Sequence, residues 1–202
     1  SLLFASGDSG ANCDQGKFQA NWPAGSPYVT AVGGTTGGGG GGASRRAESA
    51  VGLSSGGFST RYARPAWQKD AVAAYLAQPS LPDKKYINST SGRAFPDIAA
   101  QATSFLVVST RIPEPVDGTS CASPTASGLF GLLNDVRAQA GKKPLGFLNP
   151  LLYAHTEALY DITSGAGGSG GCGGFQPVEG WPAVKGWDCL LYTSPSPRDP
   201  TK

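Results

Sequence analysis

Short apolar runs separated by glycine- and proline-rich stretches set the pattern of this chain. Leu2 to Ala5 is an apolar run that leads into Gly7-Asp8-Ser9-Gly10, and it reads as a buried parallel strand feeding a loop. Tyr28 to Val32 reads as a second strand, stopped by Gly33-Gly34. Trp67, Ala71, Ala74, Tyr75 and Gln78 recur at helical spacing and predict a helix over 66–78, ended by Pro79. Lys84 to Arg93 reads as a polar loop, and Phe105 to Val108 as a strand. Gly118 to Ala140 predicts a turn followed by a long helix, with Gly141 as its terminator. Asn149-Pro150 opens a further helix that runs through Leu151, Leu152 and Ala158. Strands alternating with helices predict a parallel α/β sheet. In such sheets, sites form where strand C-termini meet helix N-termini.

The chain has 202 residues, 39% of them hydrophobic and 15% charged, so one folded domain is expected rather than a disordered segment. Thirty Gly and sixteen Pro point to long loops. The net charge is +2 with scattered Lys and Arg, which gives no footprint for nucleic acid. No apolar run approaches the ~20 residues of a membrane span. Gly37 to Gly42 is an unbroken glycine run, but Ala43-Ser44 follows where a phosphate loop needs Lys-Ser or Lys-Thr. It reads as a flexible surface loop. The chain opens inside what reads as a strand, without Met or signal peptide, so a fragment of a longer protein is expected. Cys13, Cys121, Cys172 and Cys189 form no CxxC pair, which argues against a zinc ribbon or redox motif. Cys13 and Cys172 lie in polar, glycine-rich loops, and Asn88-Ser89-Thr90 fits the N-glycosylation pattern. Together they point to an oxidising compartment.

Two segments carry candidate chemistry. In Asp117-Gly118-Thr119-Ser120-Cys121-Ala122-Ser123-Pro124, a hydroxyl sits at a glycine-flanked turn directly before a helix of small residues. Unpaired N–H groups and the positive dipole end at a helix N-terminus suit a nucleophile that must generate an oxyanion beside it. The plainer reading makes Ser120 a helix cap. In Ser6-Gly7-Asp8-Ser9-Gly10-Ala11, a carboxyl at a strand end could donate a hydrogen bond when protonated. The plainer reading is an Asp that orders its own turn.

Taken in order, SGDSGA, SPYVTAVGGT, SSGGFS, GRAFPDIAA, GTSCASP and PLGFLNPLLY resemble the sedolisin family of serine-carboxyl peptidases, and most of all its tripeptidyl-peptidase I-like members. The resemblance runs from Ser1 to about Asp188, with the glycine run as an insertion. It implies a subtilisin-like parallel sheet flanked by helices, incomplete at its N-terminal side, with residues 1–188 as the C-terminal part of the catalytic domain. It also implies Ser120 as nucleophile in a Ser-Glu-Asp triad and protonated Asp8 as the donor to the oxyanion. Hydrolysis of peptides or proteins at acid pH would follow. The triad Glu and Asp belong to a helix preceding residue 1, and Glu48, Glu114, Glu157 and Glu179 match no family motif. The chain by itself is then expected to be inactive. Subtilisins place Asn at the oxyanion position and need an upstream His, whereas the only His here is His155, far downstream. A catalytically silent sedolisin-like binding protein and a subtilisin-type endopeptidase are the competing readings. A propeptide in the parent protein and a lysosomal or extracellular location are also implied.

The family carries a Ca2+ site near its C-terminus. The resemblance places its ligands at the carboxylates of Asp161 and Asp188 and the carbonyls of Ile162, Val184 and Gly186, donors that suit a hard cation. Gly180-Trp181-Pro182 offers a rival register but puts Pro where the Asp belongs. Cys13 is expected to pair with Cys172, tying the Asp8 loop to the calcium-side loop, and Cys121 is expected to be a buried free thiol. From Cys189 to Lys202 the likeness stops. That segment resembles translated sequencing-adapter sequence, and the expectation is a non-native or disordered tail over 189–202.

Overall fold

The structure, a computed structural model, describes residues 1–37, 48–172 and 179–189. The first half of the chain supplies β1 (Leu3–Ala5), β2 (Cys13–Asp14), β3 (Lys17–Phe18), β4 (Thr30–Thr36), β5 (Ser49–Ala50), β6 (Gly57–Ala63) and α1 (Lys69–Leu76). The second half supplies β7 (Gly92–Phe95), β8 (Ile98–Gln101), β9 (Phe105–Ser109), β10 (Ile112–Val116), α2 (Thr119–Gln139) and α3 (Asn149–Ala154). The glycines at 38–42 and the tail at 190–202 lie outside the described residues.

β4 is the spine. Val32 pairs in parallel with Ala5 of β1 and with Ile98 of β8, so these two strands flank it. Thr35 pairs with Gln101 on one side and, antiparallel, with Ala50 of β5 on the other. The strand runs on through Gly33 and Gly34 rather than stopping there. The reason is packing: a Cβ on Gly34 would meet the Ala102 Cβ at 2.6 Å and the Thr119 Cγ2 at 3.4 Å. The missing side chain lets the start of α2 lie flush on the strand. Ala122 and Ala126 continue that face, buried with Val32, Ile98 and Ala100. The far turns of α2 are different, since Leu132 and Val136 are exposed. Gly141, at φ +67°, follows the helix as expected.

Several elements depart from the sequence reading. The helix expected over 66–78 splits into a 3-10 turn, Ala66–Gln68, and α1. α3 ends at Ala154, and His155 then precedes a 3-10 turn and faces Glu157 at 3.1 Å. The expected strand at 105–108 is one half of a hairpin, with β10 as the other half. Pro113 and Pro115 disguise β10 in the sequence, because Pro donates no ladder bond and is tolerated only where the N–H is not needed.

A second core lies beneath the loops. Trp181 packs edge-on against Phe18 and Phe58, and Trp187 packs edge-on against Tyr75. Cys189, at the start of the expected tail, is fully buried in this cluster. Between the cores, Arg93 and Asp97 form a fully buried ion pair. Asp97 also accepts the Ala31 N–H at 2.7 Å and the Tyr153 hydroxyl at 3.1 Å. No helix among the described residues is long and apolar enough to cross a membrane.

Candidate active site

The C-terminal end of β1 and the N-terminus of α2 meet at one point. Asp8 Oδ1 accepts the Thr119 N–H at 2.6 Å and the Thr119 hydroxyl at 2.8 Å. The same hydroxyl oxygen accepts the Gly7 N–H at 3.2 Å. Thr119 is fully buried, whereas Ser120, the next residue, is exposed in the first turn of α2. As a first-turn residue, Ser120 has a backbone N–H with no partner inside the helix. A Cβ on Gly118 would sit 3.1 Å from Asp8 Oδ2 and 3.6 Å from the Ser120 nitrogen. The free carboxyl oxygen and the free N–H therefore converge beside Gly118, which contributes no side chain there. Pro124, inside the helix, also has no N–H to give the Ser120 carbonyl.

The electrostatics agree with this placement. The Cys121 thiol is pushed up by burial, and then by the nearby carboxylates of Asp8 and Asp117. Cys121 is a free thiol but half-buried rather than buried. Asp117 is tied down by accepting the Ser104 N–H at 2.7 Å. Of the glutamates, Glu114 lies on the exposed hairpin strand β10, and Glu157 faces His155. Sequence reasoning assigned nothing to Thr119, although it anchors Asp8 with both of its donors. Its only signal was a hydroxyl next to the candidate serine.

The predicted calcium ligands are joined in two pairs. The Gly186 N–H donates to Asp161 Oδ2 at 2.9 Å, and the Val184 N–H donates to Asp188 Oδ2 at 2.9 Å. Ile162 and Asp188 are buried. Asp161 Oδ1 is buried without a hydrogen-bond partner, and burial pushes that carboxyl up. A buried oxygen without a donor is the kind of atom a cation would satisfy. No cluster of three or more His, Cys, Asp or Glu suited to a metal occurs among the described residues. A site here would depend on backbone carbonyls. Cys13 and Cys172 form a disulfide, with α-carbons 5.2 Å apart.

No family model matches the chain. It is 44% identical over 200 residues to tripeptidyl-peptidase 1 of Macaca fascicularis, and 43% identical over 202 residues to that of Homo sapiens. Each match takes in 92% of this chain and 35% of the relative, so the chain spans about a third of the length of the curated relatives it matches. Among solved structures, a Pseudomonas sedolisin superposes with a TM-score of 0.73 and 25% identity, over 96% of this chain and 52% of that one. That protein is a serine-carboxyl proteinase, complexed with two molecules of pseudo-iodotyrostatin. The chain belongs to the sedolisin family. The parallel sheet with β4 at its centre fits the subtilisin-like architecture.

Proposed function

We propose that this chain carries the nucleophile and oxyanion half of a serine-carboxyl peptidase that cleaves peptides at acid pH, with tripeptidyl-peptidase-like specificity. The observation that carries this reading is the Asp8 carboxyl, held by Thr119 at the start of the helix that presents Ser120. Ser120 Oγ attacks the scissile carbonyl carbon, and its proton passes to a carboxylate base supplied by a segment upstream of Ser1. The carbonyl oxygen becomes the oxyanion. Asp8 Oδ1 is occupied as an acceptor, which leaves Oδ2 to carry a proton and donate it in a hydrogen bond beside the Ser120 N–H. Collapse of the adduct breaks the C–N bond, and the leaving amine takes the proton from the base. Water then releases the acyl group from Ser120 by the same steps.

Ca2+ would be held by Asp161, Ile162, Val184, Gly186 and Asp188, far in sequence from Ser120, and would brace the C-terminal loops. The disulfide and the family membership support an oxidising compartment, lysosomal or extracellular, and a propeptide in the parent protein. The test is peptide hydrolysis by the full-length protein at acid pH. Turnover lost in Ser120→Ala supports the reading. A full-length wild type inert on peptide substrates, or an active Ser120→Ala variant, would sink it.

A further inference from the structure

The turn that carries Asp8 is clamped at several points, and one of the clamps is the side chain of Asn21. The Ser6 N–H donates to the Val32 carbonyl at 2.8 Å. The Gly7 N–H donates to Thr119 Oγ1, and the Gly7 carbonyl accepts the Ser55 N–H at 2.9 Å. The Ser9 N–H donates to Ser55 Oγ at 3.0 Å. The Ser6 carbonyl accepts the Asn21 side-chain N–H at 3.0 Å. Asn21 is oriented in turn, because its Oδ1 accepts the Asn12 Nδ2–H at 2.7 Å. The fit is close: a Cβ on Gly7 would overlap the Asn21 amide, and Gly7 stands at φ +110°.

We propose that Asn21 is a positioning residue for Asp8, fixing through the Ser6 carbonyl the turn that aims the Asp8 carboxyl at the oxyanion. The proposal rests on the peptidase reading above. Asn21 touches neither Asp8 nor Ser120 by a hydrogen bond. Its leverage is that it holds the residue two positions before Asp8, at the end of β1, against the Trp22–Pro23 segment. Without it, the turn keeps its Thr119 and Ser55 bonds but gains freedom on the Asn21 side. A small rotation there moves Oδ2 more than Oδ1, since Oδ1 is pinned by Thr119. Oxyanion stabilisation depends on that aim and substrate affinity does not, so the effect belongs in kcat.

The experiment compares the full-length protein with Asn21→Asp, Asn21→Ala and Asn12→Ala, measuring kcat and KM separately and following folding by thermal melting. Asn21→Asp keeps the size and, once ionised above about pH 4 to 5, lacks the donor, so kinetics at the upper end of the active pH range report the bond even if Asn21→Ala folds poorly. The expected result is a fall in kcat of about tenfold or more in Asn21→Asp, against the ~100-fold that a misplacement of ~1 Å can cost. KM should stay within about twofold, and Asn12→Ala should show the same split at smaller size. Unchanged kcat in Asn21→Asp overturns the proposal. A loss confined to KM also overturns it, and would assign Asn21 to substrate binding through the cavity of about 160 Å³ that it lines with Trp22, Arg61 and Tyr62. Both outcomes require an active wild type, so they are distinct from failure of the peptidase reading.

Discussion

Asp8 and Thr119 meet across 111 positions of sequence, the carboxylate accepting both the N–H and the hydroxyl of the threonine. The pairing occupies Oδ1 and leaves Oδ2 for the role proposed above. In the full-length protein, Asp8→Ala is expected to lower kcat by about 10²–10³-fold, the usual cost of losing one oxyanion donor. Asp8→Asn should lose less, because an amide can still accept from Thr119 and donate with its nitrogen. Steady-state kinetics on one peptide substrate checks this, and equal losses in the two variants would show that donation by Asp8 is not what matters.

The buried pair of Arg93 and Asp97 has a different role, in stability. Asp97→Ala leaves an unpaired guanidinium in the core and is expected to cost about 3–5 kcal/mol, read by denaturant unfolding. The pH dependence has a sign. Burial, the largest influence, pushes the Asp97 carboxyl above its ordinary value, against the pull of Arg93, the Ala31 N–H and Tyr153. The folded state then binds this proton more readily than the unfolded chain. The resulting stabilisation is present below the unfolded value and lost as pH rises through the folded one. Melting temperature should therefore not fall on this account between neutral pH and about pH 4. Asp97→Asn should flatten the profile, and an unchanged profile in that variant would refute the assignment.

The strand before Asp8, the helix after Ser120 and its glycine stop are legible in the sequence, because each has a local signal in apolar runs and terminators. The signals failed where long-range packing decides. Gly33 and Gly34 look like a strand end, yet the close approach of α2 keeps them inside β4. Pro113 and Pro115 hide β10, whose ladder tolerates them. Within the site, Ser120 and Asp8 stood out through motif context. Thr119 and Asn21 did not, since nothing local shows that a side chain will reach a turn elsewhere in the chain.

The Cys13–Cys172 bond closes a separation of 159 residues. Around it, the Ala11 N–H donates to the Gly168 carbonyl, and the Cys13 N–H to the Gly170 carbonyl. Replacing both cysteines by Ser is expected to cost about 2–5 kcal/mol, measured by thermal or denaturant unfolding. Peptide mapping without reductant should recover the two half-cystines linked, while Cys121 remains alkylatable.

Calcium binding has a readout apart from activity. If the Asp161 site holds the ion, added Ca2+ should raise the melting temperature of the full-length protein and a chelator should lower it. Ligand at ~100 times Kd stabilises by about 2.7 kcal/mol. Asp161→Asn should abolish the response, and a melting temperature indifferent to Ca2+ in the wild type would count against the site.

Asn88 is exposed in the loop before β7 and begins Asn-Ser-Thr, with its amide donating to Gln19 Oε1 at 3.2 Å. Expressed through a eukaryotic secretory route, the protein should carry an N-linked glycan there. Enzymatic deglycosylation should convert Asn88 to Asp, a mass change that disappears in Asn88→Gln. An unmodified Asn88 peptide at full occupancy would end the idea.

At Gly34 the central strand puts no side chain of its own toward the helix that bears Ser120, and the Ala102 Cβ, Val51 Cγ1 and Thr119 Cγ2 crowd the place a Cβ would take. The height of the helix start above the sheet is thus set by the bare Gly34 main chain on one side and the Thr119 methyl on the other. Asp8 hangs from β1 and Ser120 from α2, so the two share this strand as their common datum. Any carbon added at position 34 acts as a shim beneath one of them and not the other. In the proposed site, the alignment of Asp8 with Ser120 therefore has its tolerance set at a residue that is neither of them.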